Sequence, residues 1–413
     1  MPPFSLILGT QFMRPAVITS LLLALSAAPA LAQVDVKLDE TNSTKLPLPA
    51  PGGWLLSPDG ETLIVSSPKT AEIIHIDTSK EKEIKRVKVN FQPAALALRG
   101  SSLYAVAKGS SLLYVLDAQT GKSKEQIRVP GETLVQLACH PSAGPLFATN
   151  DQFEVLALKM GTSKLEKTEA QGNFLAVDPK GDFLYTGTQK PIKEVLVLSR
   201  GPRNSVNVGV AKTNINSTIV KYYLKAEKLE LVAMKGNAAI NGRALAVSPD
   251  GQKIALVGAG GMQAKSGKRA YAIAVYDTSD LETQLGQVET GAYPSNVSFH
   301  PVLDIGVAEK FGGDRELLLF DARSFAVIKT MAFKTRGGAA SEAGLLTFGG
   351  RGTKLIYYPP GSPVAPRNSP GRVGSRARSG SGQDQQGQLY LIPLELTDDQ
   401  KAELARAFPP AKG

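Results

Sequence analysis

Short strand–turn–strand units recur along this chain of 413 residues, and they limit the folds that the chain can adopt. The clearest copy is RALAVSPDGQKIALVG (243–258), in which two aliphatic runs flank a Ser-Pro-Asp-Gly turn. Proline presets φ in such a turn, aspartate bonds nearby backbone N–H groups, and glycine accepts positive φ, so a tight hairpin is predicted. AYAIAVYDTS and LGQVETG follow as third and fourth strands, which completes one four-stranded antiparallel unit.

The first hydrophobic residue of the second strand marks each copy of the unit. It occurs seven times, at intervals of 40, 43, 38, 70, 51 and 50 residues. These residues are Leu63, Leu103, Leu146, Leu184, Ile254, Ile305 and Leu355. A period of about 40 to 45 residues is typical of propeller blades, and seven blades suffice to close a ring. The spacing therefore predicts an all-β fold, a seven-bladed β-propeller of four-stranded antiparallel blades.

The last blade lacks a fourth strand in the C-terminal direction. After QLYLIPLEL, the segment LTDDQKAELARAF predicts a short helix capped by Thr397. VDVKLDETNSTKLPLP, near the other end of the chain, supplies a strand instead, and its pairing with the last blade would remove an open edge. We therefore expect the propeller to span residues 33–395 and this N-terminal strand to close it. A short helix and a tail are expected at 396–413.

The N-terminus has the pattern of a targeting segment. Met13-Arg14 opens a short positive region, residues 18–28 are apolar, and Ala30-Leu31-Ala32 provides the small residues that signal peptidase recognises. Residues 1–32 are predicted to be a signal peptide, with Met13 as an alternative start. The apolar stretch is shorter than the roughly 18 residues of a membrane span. We expect a soluble, exported protein in the periplasm or outside the cell, without a transmembrane anchor.

Composition excludes several kinds of site. The only cysteine, Cys139, excludes an internal disulfide, a CxxCH haem attachment site and a cysteine zinc cluster. His140 and His300 precede prolines in turns after first strands, whereas His75 lies within a third strand, so the three do not converge. No catalytic or nucleotide-binding motif occurs in its required context. No metal and no cofactor are predicted.

An aspartate recurs at the end of the third strand, before a turn. The four copies are Asp77, Asp117, Asp277 and Asp321. A carboxylate at this position accepts hydrogen bonds from the backbone N–H groups of the turn. We interpret these residues as structural.

The repeat resembles a known family. SPDGxxL, a strand ending in Asp-Thr and a link such as Phe91-Gln92-Pro93 or Tyr293-Pro294-Ser295 are similar to the YVTN-type repeat, about 40 residues long, of bacterial seven-bladed propellers. The resemblance covers nearly all of residues 34–395, strongly in blades one, two, five and six. The signature tetrapeptide itself appears only in degraded forms such as Leu184-Tyr185-Thr186-Gly187. The resemblance implies the fold and leaves scaffolds, lactonases, cofactor enzymes and surface proteins open.

Three blades carry extra residues between their second and third strands. The insertions are residues 189–217 in blade four, 258–269 in blade five and 359–388 in blade seven, and VLVLSR inside the first is an alternative strand. The insertion of blade seven is rich in Pro, Gly, Ser and Arg, so we expect it to be disordered. All three are expected on one rim, here called the inserted face, which is the predicted binding side.

The funnel at the inserted face is predicted to carry the binding residues. The candidates are Lys108, Asn150, Asn173, Lys190, Asn241, Arg243, Asn296, Glu309, Lys310 and Glu342. This mixed polar and basic set, in a chain of net charge +10, suits a protein partner or a polar or anionic ligand. Nucleic acid is disfavoured by export and by an aromatic content of only 6%. The oligomeric state stays open.

Two functional hypotheses follow. The first is an exported, non-enzymatic scaffold or binding protein that uses the inserted face. The alternative is a propeller-type lactonase or hydrolase that acts on a small polar or anionic substrate, with Glu309 or Glu342 and Arg243 as catalytic groups.

Overall fold

The computed structural model describes most of residues 35–409. The residues outside the description in this range are 108, 142–143, 160, 201–205, 226–227, 259–261, 264–268, 313, 334, 337–343, 361 and 364–386. The described residues form one compact unit. The predicted signal peptide (1–32), the alternative start Met13 and most of the insertion 359–388 lie outside the described residues.

Seven antiparallel four-stranded blades form a β-propeller, which confirms the fold predicted from the repeat spacing. The chain begins with β1 (Lys37–Leu38) and β2 (Thr44–Leu48), which belong to blade seven. Blade one contains β3 (Gly53–Leu56), β4 (Thr62–Ser67), β5 (Glu72–Asp77) and β6 (Lys82–Lys88). Blade two contains β7 (Pro93–Arg99), β8 (Ser102–Ala107), β9 (Leu112–Asp117) and β10 (Ser123–Arg128). Blade three contains β11 (Leu134–Cys139), β12 (Leu146–Asn150), β13 (Glu154–Leu158) and β14 (Leu165–Gln171).

The remaining blades follow the same order. Blade four contains β15 (Phe174–Val177), β16 (Phe183–Arg200), β17 (Val206–Lys225) and β18 (Lys228–Ile240). Blade five contains β19 (Gly242–Val247), β20 (Lys253–Gly258), β23 (Ala272–Asp277) and β24 (Gln284–Glu289), with a hairpin of β21 (Met262–Gln263) and β22 (Arg269–Ala270). Blade six contains β25 (Tyr293–Phe299), β26 (Ile305–Phe311), β27 (Arg315–Asp321) and β28 (Val327–Phe333). Two-residue strands β29 (Thr335–Arg336) and β32 (Ser362–Pro363) pair beside blade seven, which contains β30 (Leu345–Gly349), β31 (Lys354–Tyr358) and β33 (Gly387–Glu395).

The second strand of each blade forms the core. The seven hydrophobic residues that mark the repeat all have exposed fractions of 0%. The sequences of these strands are nearly continuous apolar runs, because neighbouring blades cover each strand on both faces. First strands such as β3 and β19 are half-buried along most of their length. They therefore border an open space on the axis.

The recurrent aspartates stabilise turns, as predicted. Asp77 Oδ1 accepts hydrogen bonds from the backbone N–H groups of Ser79 (3.0 Å) and Lys80 (2.7 Å). Asp321 Oδ1 accepts the equivalent bonds from Arg323 (2.8 Å) and Ser324 (2.9 Å). The same turn thus ends the third strand in distant blades.

The N-terminal strand closes the ring, as predicted. β2 pairs antiparallel with β33, from Thr44 opposite Leu391 to Leu48 opposite Gly387. Leu48, which is 1% exposed, belongs to the same hydrophobic cluster as Leu389 and Leu391. The outermost strand of the last blade therefore comes from the opposite end of the sequence.

The predicted C-terminal helix is present over Asp398–Ala407. Thr397 is its N-cap, and its side chain and that of Gln400 form a reciprocal capping box. Leu404 is the buried residue of the helix. A helix of this kind begins at the cap because the Thr397 hydroxyl satisfies a backbone donor that no helical carbonyl reaches.

Truncation of Leu48 tests the closure. We expect Leu48→Ala to lower the free energy of unfolding by about 2–4 kcal/mol, because it leaves a cavity in the closing sheet. Lys37→Ala, on the exposed side of the neighbouring strand β1, is the matched control and should change stability by less than about 0.5 kcal/mol. Urea unfolding measures both values. Equal effects of the two changes would contradict a structural role for the closing strand.

His300 joins the turn of blade six to blade seven. Its Nε2 lies 2.7 Å from the carbonyl oxygen of Gly352, and its Nδ1 accepts hydrogen bonds from the N–H groups of Val302 and Leu303. Both ring nitrogens are thereby used by the neutral ring, with Nε2 as the donor. Burial lowers the pKa of His300 to about 4. The ring is therefore neutral at pH 7 and has a structural role.

The lowered pKa predicts a pH-dependent contribution to stability. The unfolded chain takes up a proton at His300 before the folded chain does, so the contribution is complete above pH 6.5 and is lost as pH falls towards about 4. We expect the stability difference between wild type and His300→Asn to shrink by about 2 kcal/mol between pH 7 and about pH 4.5. Urea unfolding of both proteins across this range measures it. A difference that stays constant with pH would contradict this role.

The insertion of blade four is a β-ribbon and not a loop. Strands β16 and β17 have 18 and 20 residues and remain paired from Phe183 opposite Tyr223 to Arg200 opposite Val206. The insertion predicted over 189–217 therefore consists of extensions of the second and third strands, and the alternative strand over VLVLSR (195–200) lies within β16. Alternating β-branched residues on both strands continue the pairing beyond the core.

Candidate functional site

One contact joins a blade link to an insertion at the inserted face. Thr335 and Arg336, which follow the last strand of blade six, pair with Pro363 and Ser362 in the insertion of blade seven. The insertions of blades four and five occupy the same place in their blades, between the second and third strands. In an antiparallel blade this places all three on the side where the chain enters each next blade.

A cavity of about 430 Å³ lies between the first strands of six blades. Its wall includes Trp54 of blade one, Gln136 of blade three, Arg243 of blade five and Asn296 of blade six. The other lining residues are Phe174, Ala176, Val177, Ala244, Leu245, Ala246, Val247, Val297, Ser298, Phe299 and Leu346. Because first strands surround the propeller axis, this space is the axial cavity.

Three polar side chains of the axial cavity have defined surroundings. Asn296 Nδ2 donates to the carbonyl oxygen of Gly344 at 2.8 Å, and Gln136 Oε1 accepts from the backbone N–H of Leu175 at 3.2 Å. The pKa of Arg243 is lowered, first by burial and then by the charge of Arg315. The two amides are thus oriented by backbone groups of neighbouring blades. Arg243 is in blade five, and the amides are in blades three and six.

Glu309 lies behind this wall in a closed network. Its carboxylate accepts hydrogen bonds from Ser295 Oγ (2.8 Å), Gly344 N (2.9 Å) and Tyr357 Oη (2.7 Å), and the guanidinium of Arg315 is 3.6 Å away. Glu309 and Arg315 are both 0% exposed. Burial raises the pKa of Tyr357 well above its ordinary value, which keeps the phenol protonated as a donor. The network holds Gly344, and Gly344 in turn holds Asn296 at the cavity.

Glu309→Gln tests this network. We expect a loss of about 3 kcal/mol in the free energy of unfolding, because the change removes a buried carboxylate charge that lies 3.6 Å from the buried guanidinium of Arg315. Glu316→Gln is the matched control, since Glu316 pairs with Lys310 (3.1 Å) while 29% exposed, and should cost less than about 1 kcal/mol. Denaturant unfolding compares the two. A smaller loss for Glu309→Gln than for Glu316→Gln would contradict the structural role.

A second depression, the inter-blade cleft, lies between blades three and four. It begins at the inserted face with Phe153 and Asn173 and continues along β18. It has a volume of about 300 Å³. Phe153, Leu231 and Met234 line it and are 48%, 62% and 58% exposed. Asn173 also lines the cleft, and its buried Oδ1 has no hydrogen-bond partner among the described residues. The other lining residues are Gln152, Glu169, Gln171, Gly172, Thr188, Thr218, Val220 and Tyr222.

The other candidate residues have separate positions. Asn150 is buried at a turn, where Nδ2 donates to Glu132 and to Glu154 (2.7 Å) and Oδ1 accepts from two backbone N–H groups. Asn241 has a φ of 53° in the link to blade five. Lys190 is in β16, and its side chain lies outside the described residues, as do Lys108 and Glu342 altogether. The structure thus brings Arg243 and Asn296 together at the axial cavity and places Asn173 at the cleft.

Sequence reasoning missed several lining residues of both depressions. Trp54, Gln136 and Phe174 occupy positions in first strands that face the axis, and alternation within those strands was the available signal. Leu231 and Met234 face the cleft because a bulge at Leu231 and Ala233 interrupts the pairing of β18. A bulge of this kind has no distinctive sequence pattern.

Within the described residues, no group of three or more His, Cys, Asp or Glu residues is arranged to hold a metal ion. In the same part of the chain, no helix has the length and apolar character needed to cross a membrane.

Burial raises the pKa of the Cys139 thiol to about 12, so this cysteine is protonated at pH 7.

Comparison with known proteins supports the fold. No family model matches the chain, and no curated protein matches it in sequence. A chain of the Kuenenia stuttgartiensis hydrazine synthase has a similar structure, with a TM-score of 0.54 and 14% sequence identity over 76% of this chain and 94% of that chain. At this identity the likeness concerns the propeller fold alone.

Proposed function

We propose that this chain is an exported binding or scaffold protein, without catalytic activity, that holds a partner at its inserted face. One observation carries the proposal: the insertions of blades four, five and seven all join second to third strands. Insertions that concentrate on one face of a repeat array are typical of its binding side. The repeat motifs favour a place among the bacterial propellers of the YVTN type, and the N-terminal pattern favours export.

The inter-blade cleft supports a protein as the partner. Phe153 presents apolar surface at the inserted face, and Met234 and Leu231 extend this surface along β18 towards the opposite face. Exposed apolar groups that adjoin polar ones are typical of protein-binding surfaces. An apolar side chain of a partner fits this cleft, and Asn173 Oδ1 offers an acceptor to a backbone N–H of the same segment.

The hydrolase alternative has less support from the geometry. A general base must approach the proton that it removes to within hydrogen-bond distance. The Glu309 carboxylate is 0% exposed and already accepts three hydrogen bonds, and Glu342 lies outside the described residues. Among the described groups of that hypothesis, Arg243 borders the axial cavity.

A cross-linking and co-purification experiment on the cell envelope tests the binding function. We expect wild type to recover a specific partner and Leu231→Lys/Met234→Lys to reduce its recovery at least about tenfold, since two charges enter an apolar contact. A second variant, which lacks residues 364–386, tests whether recovery of the partner depends on the insertion of blade seven.

Leu285→Lys is the matched control for the cleft. Leu285 is 41% exposed on the outer strand of blade five, away from the cleft, so its substitution should leave recovery unchanged. Wild type that recovers no partner, or equal recovery by the cleft variant and the control, would contradict the proposed function of this surface.

A further inference from the structure

The outer edges of the blades differ in charge. We compare the segments that run from the turn aspartate to the end of the outer strand. In blade one, residues 77–88 include five basic and three acidic residues, and in blade two, residues 117–128 include three basic and two acidic residues. In blade five, residues 277–289 include four acidic residues and no basic residue. We call the first two segments together the basic edge and the third the acidic edge.

Several cations of the basic edge have no counter-charge within the molecule. Lys82, Lys88, Lys122 and Arg128 are exposed, and none of them forms an ion pair with another described residue. The outer strand of blade three differs, because its Lys167 pairs with two glutamates at 2.8 and 2.7 Å. The basic edge therefore keeps positive charge that an outside partner can neutralise.

The acidic edge keeps negative charge in the same way. Glu289 is exposed and forms no ion pair with another described residue. Asp280 accepts hydrogen bonds from the N–H of Glu282 (3.1 Å) and the hydroxyl of Thr283 (2.6 Å), which are neutral donors. Glu282 pairs with Lys235 of blade four, yet its side chain is 70% exposed. The edge thus offers carboxylates to a cationic partner.

Both edges carry an exposed apolar side chain at the same place in the blade. A β-bulge in β6 leaves Ile84 without a partner on β5, and the equivalent bulge in β24 leaves Leu285 without a partner on β23. Their exposed fractions are 55% and 41%. Because a bulge disrupts the backbone pairing of an edge, contact between two such edges is made by side chains.

The two edges lie on opposite sides of the ring. Successive blades are neighbours, and blade seven packs against blade one. From the middle of blades one and two, blade five is three and a half of the seven steps away, which is half a turn. Complementary surfaces on opposite sides of a molecule join copies in an open row, because a pair of copies still leaves one surface of each kind unused.

We propose that copies of this chain associate head to tail, with the basic edge of one copy against the acidic edge of the next. Opposite charges attract across this contact, whereas two basic or two acidic edges repel, so the charges determine the polarity of the row. Ile84 and Leu285 add an apolar contact at its centre. The contact lies outside the inter-blade cleft, so it adds a second interaction surface to the proposed binding function.

Sedimentation velocity on the purified protein tests the association. At about 20 mM NaCl, we expect the average mass to rise with protein concentration and to pass that of a dimer, because each added copy leaves a free edge. At about 500 mM NaCl, where the Debye length is only about 4 Å, the protein should be monomeric. Small interfaces of this kind are weak, so we expect a dissociation constant of about 100 μM or below at the lower salt concentration.

Two triple variants each reverse the charge of one edge. They are Lys82→Glu/Lys88→Glu/Lys122→Glu for the basic edge and Asp280→Lys/Glu282→Lys/Glu289→Lys for the acidic edge. Each variant alone then has two edges of the same sign, so its dissociation constant for self-association should rise at least about tenfold. An equimolar mixture of the two should associate again, because the negative edges of one variant meet the positive edges of the other.

Lys37→Glu/Lys180→Glu/Lys228→Glu is the matched control. It makes the same change in net charge as the basic-edge variant, at exposed residues of blades seven and four, and should keep the association of wild type. Circular dichroism establishes that each variant is folded. The dependence of wild type on salt and concentration decides the proposal if a variant is not.

Association that is lost in each edge variant and restored in their mixture supports the proposal. Wild type that stays monomeric at low salt, association that stops at a dimer, edge variants that associate alone, or a mixture that stays monomeric would overturn it. Binding of polyglutamate by monomeric wild type would assign the basic edge to an acidic macromolecule and would also overturn it. The measurement uses the isolated protein, so its failure leaves the partner recovered through the inter-blade cleft unaffected.

Discussion

Pairing of β2 with β33 is the constraint on which the arrangement of all seven blades depends. A propeller blade buries its faces only between two neighbours, so an open ring would expose the sides of blades one and seven. Strand β2 supplies the outer strand of blade seven directly before the chain enters blade one. The apolar second strands can then be buried around the whole ring, and the first strands surround the axial cavity.

Buried polar groups tie the blades together within this ring. The Thr78 hydroxyl donates to Gly60 in blade one and accepts from the Gly350 N–H in blade seven, at 3.0 and 2.8 Å. Lys221 of blade four donates to the Thr278 carbonyl of blade five at 2.8 Å and lies 3.8 Å from the ring of Phe183. Buried polar groups stabilise a fold when their partners are in place. The Glu309 network is of this kind, and through Gly344 it also orients a side chain at the axial cavity.

The two depressions differ in what they offer. The axial cavity lies between first strands and is lined mainly by apolar residues, with Arg243, Gln136 and Asn296 among them. The inter-blade cleft begins at the inserted face and presents exposed apolar side chains along the outer strand of blade four, which suits a macromolecular partner.

The sequence by itself determined the blade number, the closing strand, the turn aspartates and the C-terminal helix. These features depend on local periodicity, capping and turn chemistry. The apolar second strand recurs in all seven copies, and the Ser-Pro-Asp-Gly turn occurs in blades one and five. Tertiary structure decided which polar residues meet. Glu309 was expected at the funnel, yet it lies behind the wall because Ser295, Gly344 and Tyr357 surround its carboxylate. These contacts join residues up to 48 positions apart, and strand periodicity carries no information about such pairs.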